Sequence, residues 1–196
     1  MRRAPLSAAP RGPHRRAVLA ALLLLLACGG PPPAPPPVDA AATIARIADM
    51  PEGDQRRALV ASLRRLPADQ VHPLLVSGFA SQLPGPRVAA ILVAGRRRDG
   101  ARFTAELLAA AADPTPAVRV AAARALGSLR VSEAFPALEP NLSHETVSVR
   151  LSALRALARI DPDRAAALPE LARLQLDPDR AVADTATKVA RKLITP

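Results

Sequence analysis

Side chains able to do covalent or acid–base chemistry are scarce in this sequence of 196 residues. It has one cysteine, Cys28, and three histidines, His14, His72 and His144. The Cys28 thiol is the one strong nucleophile, and a lone cysteine can close no disulfide within the chain. Asp69 and His72 stand three residues apart, a spacing that brings both to one helix face. A metal centre needs a third ligand and none lies nearby in sequence, so the pair reads as a capping aspartate beside a solvated histidine. Glycine-rich phosphate loops and Gly-x-Ser-x-Gly elbows are missing as well. We therefore expect no catalytic residues, no metal, no cofactor and no enzymatic activity.

Composition narrows the binding classes too. Hydrophobic residues make up 49% of the chain, enough for one ordinary domain. With three Phe and no Trp or Tyr, the core must be built from Ala, Leu, Val and Ile. Flat aromatic platforms for single-stranded nucleic acid or sugars are excluded. The formal charge of +10 is unevenly placed. Arg2, Arg3, Arg11, Arg15 and Arg16 carry five positive charges before position 28, and the remainder of the chain has a net charge of only +5. That gives weak attraction to anions rather than a phosphate-binding field, and we expect no nucleic-acid partner.

From Ala17 to Ala27 the chain reads AVLAALLLLLA, eleven apolar residues behind an arginine-rich stretch. As a helix this run covers about 17 Å, short of the roughly 30 Å hydrocarbon core, and it has the form of a secretory signal. Its end, Leu25-Leu26-Ala27-Cys28, resembles the lipobox of bacterial lipoproteins, with Leu26 where Ala or Ser is commoner. The resemblance implies diacylglycerol on the Cys28 sulfur, cleavage ahead of it, and stable attachment to a membrane surface through its acyl chains. The other reading is a general signal peptide. Gly29 resembles the residue that follows the cysteine in lipoproteins sent to an outer membrane, and Arg15-Arg16 resembles a twin-arginine export motif as well as an ordinary basic leader. Residues 31–37, PPPAPPP, form a spacer of about 20 Å if they keep polyproline geometry. The expected division is a signal at 1–27, a lipidated tether at 28–38 and a folded domain at 39–196.

Beyond Asp39 the apolar pattern is helical throughout, and it repeats. Gln55, Pro86, Val118, Val149 and Val182 mark a period of 31 to 33 residues. Arg56, Arg87, Arg119 and Arg150 come next in each unit, with Ala183 in the last. Four places after the marker stand Leu59, Ala90, Ala122, Ala153 and Ala186, one apolar helix stripe. Eleven places before it, Ile44, Leu75, Leu107, Leu138 and Leu171 begin another. Each unit should be a pair of helices, the first often with a proline near its start. One such pair buries too little to offset its ordering entropy, whereas stacked pairs share a core. The pattern resembles the HEAT repeat, most clearly in Asp113-Pro114-Thr115-Pro116-Ala117-Val118-Arg119 and on through Ala125-Leu126-Gly127. The expected fold is all-α, an α-solenoid of about five HEAT-like helix pairs. The resemblance also implies a ladder of turn Asp and second-helix Arg between neighbouring units. Asp113 with Arg119 completes that pair by type; His144 precedes Arg150 in the Asp place, and Asp177 precedes Ala183.

At about 100° per residue, positions 118, 122, 125, 126 and 129 share one face and position 124 lies opposite. The equivalent basic residues are Arg124, Arg155 and Lys188, with Arg159 and Lys192 one turn further on. In HEAT-like solenoids the second helices line the concave side, which implies a basic groove for an acidic segment of a partner. The same arginines also serve simply to keep a helix soluble. Arg96, Arg97 and Arg98 follow Gly95 and read as a solvated loop. The function expected is a membrane-anchored protein-interaction scaffold in the bacterial cell envelope, on the outer membrane, its partner an unidentified envelope protein. Two alternatives stand beside it: a phycobilin-lyase-like or other enzyme-associated HEAT protein, and a basic solenoid that binds nucleic acid.

Overall fold

Several helices in this chain begin at a capping aspartate or at a proline in the first turn. The structure, a computed structural model, describes residues 39–191. The signal run, Cys28, the PPPAPPP spacer and Lys192 lie outside the described residues. Asp39 accepts from the Ala42 amide and opens α1, Ala40–Asp49. Next come α2, Asp54–Leu63, and α3, Ala68–Phe79. Proline occupies the first position of α4, Pro84–Ala94, and of α6, Pro116–Leu129, where its missing N–H costs nothing. Between them a 3-10 turn at Gly100–Phe103 leads into α5, Thr104–Ala110. Helix α7 is only Phe135–Leu138, flanked by 3-10 turns at Ser132–Ala134 and Glu139–Ser143. Pro136 and Pro140 each remove an amide that a continuous helix would need, so the segment tightens into short pieces. Then follow α8, Val147–Ile160, α9, Pro162–Ala166, α10, Glu170–Gln175, and α11, Arg180–Ala190, the last capped by Asp179. No strand occurs among the described residues.

The pairs α1/α2, α3/α4, α5/α6, α7/α8 and α10/α11 are the five expected units, and the fold is an all-α HEAT-like solenoid. Second helices pile up in order, α4 on α6, α6 on α8 and α8 on α11. Helix α9 is an insertion between the fourth and fifth units, held by the Arg164 guanidinium 3.8 Å over the Phe135 ring. Ile44, Leu75, Leu107, Leu138 and Leu171, at the repeat position of the first helices, are all buried, as are Val118, Val149 and Val182 at the marker. Gln55 is exposed and Pro86 half-buried there, which explains why the pattern fades toward the N-terminus.

Close approach of the second helices rests on small residues. A Cβ built on Gly127 would stand 2.9 Å from the Ala156 Cα, and one on Gly95 would stand 2.9 Å from the Ala125 Cα. These glycines occupy the same place in successive units, nine residues after the marker. Any larger side chain there would hold α6 away from α8, or α4 away from α6.

Candidate functional site

Four equivalent positions, Ser81, Asp113, His144 and Asp177, sit five residues before the marker in the turns between paired helices. Each accepts a hydrogen bond from the amide two residues on: Leu83 to Ser81 Oγ at 3.2 Å, Thr115 to Asp113 Oδ1 at 2.8 Å, Thr146 to His144 Nδ1 at 3.0 Å, and Asp179 to Asp177 Oδ1 at 2.9 Å. The shared task is to tie the turn, which any short acceptor performs. Only the carboxylates do more.

The ladder does run between units, but with partners other than those expected. Asp113 pairs with Arg87 of the preceding unit, Nε to Oδ2 at 2.8 Å and Nη2 to Oδ1 at 3.1 Å. Asp177 pairs in the same way with Arg150, both bonds at 2.8 Å. Arg119 does not reach the Asp113 carboxylate, as its spacing implied. It donates to the Asp113 main-chain carbonyl at 2.6 Å and to Asn141 Oδ1 at 2.8 Å. The second-helix arginine of one unit therefore grips its own turn and reaches the next unit's acceptor. His144 puts no carboxylate in that acceptor place, and the buried Asn141 takes the role while donating to the Ala111 carbonyl at 2.9 Å. Arg150, expected in the ladder although His144 stands in the Asp place before it, pairs with the Asp177 of the next unit, whose side chain is 2% exposed.

Protonation follows these contacts. The Arg150 guanidinium holds the Asp177 carboxyl below the ordinary carboxylate range against the opposing effect of burial, and the Asp177 carboxylate in turn pushes Arg150 up. Burial pushes Asp113 up, but bonds from Arg87 and the Thr115 amide outweigh it and leave the group lowered.

A second cross-unit knot lies in the turn after α4. Arg97, read from sequence as solvated, is buried. It donates from Nη1 to the carbonyls of Leu63 and Leu66, each at 3.0 Å, which ends α2 on a cation. Its Nε and Nη2 hold Asp99 at 2.8 and 3.0 Å, and Asp99 Oδ2 meets His72 Nε2 at 2.7 Å. Arg97 chiefly, then His72, brings the Asp99 carboxyl down to about 2. His72 is thus half-buried and paired 27 residues away rather than solvated beside Asp69, and its ring meets Phe103 edge-on at 5.1 Å. Asp69 lies in the first turn of α3, where the capping residue is Pro67. Arg97, Asp99, His72 and the Phe103 ring satisfy one another, so the cluster joins units rather than presenting a site. Among the described residues no group of His, Cys, Asp and Glu could hold a metal ion.

On the side of the second helices there is an open cavity of about 380 Å³. Its floor is aliphatic, from Val60, Val88, Ile91 and Val120, and Arg56, Arg57, Arg96 and Arg124 stand around it with one acid, Glu52. Arg124, expected in the groove, donates to Glu52 Oε1 at 2.7 Å across 72 residues of sequence. Arg155, Arg159 and Lys188 are exposed but do not line this cavity. The residues that sequence reasoning missed, Arg56, Arg57 and Arg96, come from α2 and the turn after α4. Arg56 was visible as a member of the arginine series, but nothing local told that it stands apart from the ladder.

Residues 104–191 match the model of the family described as HEAT repeats. The match covers the third to fifth units, where marker valines and ladder arginines are most regular, and it supports a HEAT-repeat domain there. None of the curated proteins matches the chain.

Proposed function

We propose that this protein is a lipoprotein of the bacterial cell envelope, anchored through Cys28 on the outer membrane, whose HEAT-like solenoid is an interaction scaffold for a protein with an acidic segment. HEAT repeats commonly serve as protein-interaction scaffolds. The observation that carries the reading is the cavity on the second-helix side, where four arginines and one glutamate surround an aliphatic floor. Such a surface offers charge at the rim and apolar area at the base, the usual anatomy of a protein-binding patch. Nothing in the cavity resembles a reacting centre, since its titratable groups are guanidinium ions and one carboxylate. No helix among the described residues is long and apolar enough to cross a membrane.

Crosslinking in cells, followed by identification of captured proteins, tests the scaffold. We expect capture of an envelope protein that is lost when Arg56 and Arg124 are both changed to Glu; unchanged capture removes the groove from the account. Radiolabelled palmitate should mark the wild type and not Cys28→Ser, and equal labelling would remove the anchor.

A further inference from the structure

We propose that the cavity between α2, α4 and α6 receives a partner's acidic side chain flanked by an aliphatic one, and that Glu52 is this chain's own competitor for the acid's place. The inference rests on the scaffold reading above and specifies its ligand. It starts from Arg56. In the other units the ladder arginine has an acceptor in the next turn, Asp113 for Arg87, Asn141 for Arg119 and Asp177 for Arg150. For Arg56 that place is Ser81, a short uncharged hydroxyl that ties its own turn through the Leu83 amide and offers no carboxylate. Arg56 accordingly lines the cavity, and its Nε is buried with no hydrogen-bond partner. A buried donor left unpaired is costly, and an incoming carboxylate would remove that cost.

Charge points the same way. Four arginines line the cavity against Glu52, and even with Asp54, which pairs with Arg57, the local balance stays at +2. Burial lowers the Arg56 guanidinium, Glu52 raises it and Arg124 lowers it, the pattern of cations crowded around too few anions. Glu52 already shows what the ligand would do. It projects from the turn between α1 and α2 and binds Arg124 of the third unit, with both side chains more than half exposed. A surface pair of that kind is weak and easily exchanged for a better-placed carboxylate. The aliphatic floor then selects a Leu or Val beside the acid, since a bare anion would leave it uncovered.

The test uses the full chain purified in a non-ionic detergent and a short fluorescein-labelled peptide alternating Glu and Leu, read by anisotropy. Binding should weaken with added salt. Glu52→Gln should tighten it by up to about fivefold, because a competitor is removed. Arg56→Gln with Arg124→Gln should weaken it about tenfold or more. A peptide of Gln and Leu, or of Glu and Ser, should bind far less. Circular dichroism confirms that each variant is folded, and Glu52→Gln, an exposed isosteric change, guards against loss of fold as the explanation. Equal binding of the Gln and Leu peptide, or weaker binding by Glu52→Gln, overturns the inference. No peptide binding by a wild type that still captures its partner through Arg56 and Arg124 overturns the ligand chemistry alone. Peptide binding with capture unchanged by the arginine variants supports the ligand chemistry and sinks the scaffold reading instead.

Discussion

At the scale of single residues, the pair of Arg150 and Asp177 shows how much one side chain can hold. Its guanidinium is 10% exposed and its carboxylate 2%, so removing one partner strands a desolvated charge. Asp177→Ala should cost about 3 kcal/mol in denaturant unfolding. The double variant Arg150→Met with Asp177→Leu should recover most of that loss, because it leaves no charge unpaired. The acid side of the stability profile follows from the same contacts. Asp99, Asp113 and Asp177 are all lowered in the folded state, Asp99 to about 2. Each binds its proton less readily folded than unfolded, so the unfolded chain takes up more protons as pH falls. Their contribution is complete above the unfolded value near 4 and disappears as pH drops through the folded ones. The thermal midpoint should therefore be insensitive to these groups above about pH 5 and fall between roughly pH 5 and 2. A midpoint level down to pH 2 would deny these three ion pairs.

At the scale of helices, stacking depends on backbones meeting closely, and Gly127 is the clearest case. The atoms an added methyl would meet are the Ala156 backbone and its Cβ in α8, which no rotamer change can move. Gly127→Ala should cost about 1 to 3 kcal/mol even though alanine is the better helix former. Chemical denaturation against the wild type measures it. A stabilised variant would mean that α6 and α8 do not pack at this distance. Proline near the start of a first helix bears on its length as well. Helix α8 carries no proline and runs for 14 residues, while α7, with Pro136 and Pro140 near it, is reduced to four flanked by 3-10 turns.

At the scale of the molecule, a solenoid is held unit to unit, so the missing link at Ser81 marks its first pair. Without a ladder acceptor for Arg56, α1 and α2 should exchange amide hydrogen faster than α6 and α8, which hydrogen-exchange mass spectrometry resolves by segment. Ser81→Asp should reverse this by offering Arg56 a carboxylate, slowing exchange in α2 by up to about tenfold. The same change should weaken acidic-peptide binding, since the arginine is drawn out of the cavity. Slower exchange with binding untouched would separate Arg56 from the ligand. The first unit would then trade stability for a free cation.

Periodicity alone determined the helix pairs, their number and their buried faces, because a core position must recur wherever neighbouring units share one interior. It also placed Arg124 on an outer face, and Gly127 stood within the residues that resembled a known repeat. Partnership was decided only in three dimensions. Asp113 and Arg119 look like a pair along the chain, yet the geometry of stacking sends Arg87, Arg119 and Arg150 forward to the next unit. Arg97 looks solvated between two arginines, yet the end of α2 closes over it. Glu52 and Arg124 meet across two units that no local pattern connects. A hydrogen bond or ion pair depends on distance in space, and stacking brings together residues that repeat spacing treats as independent.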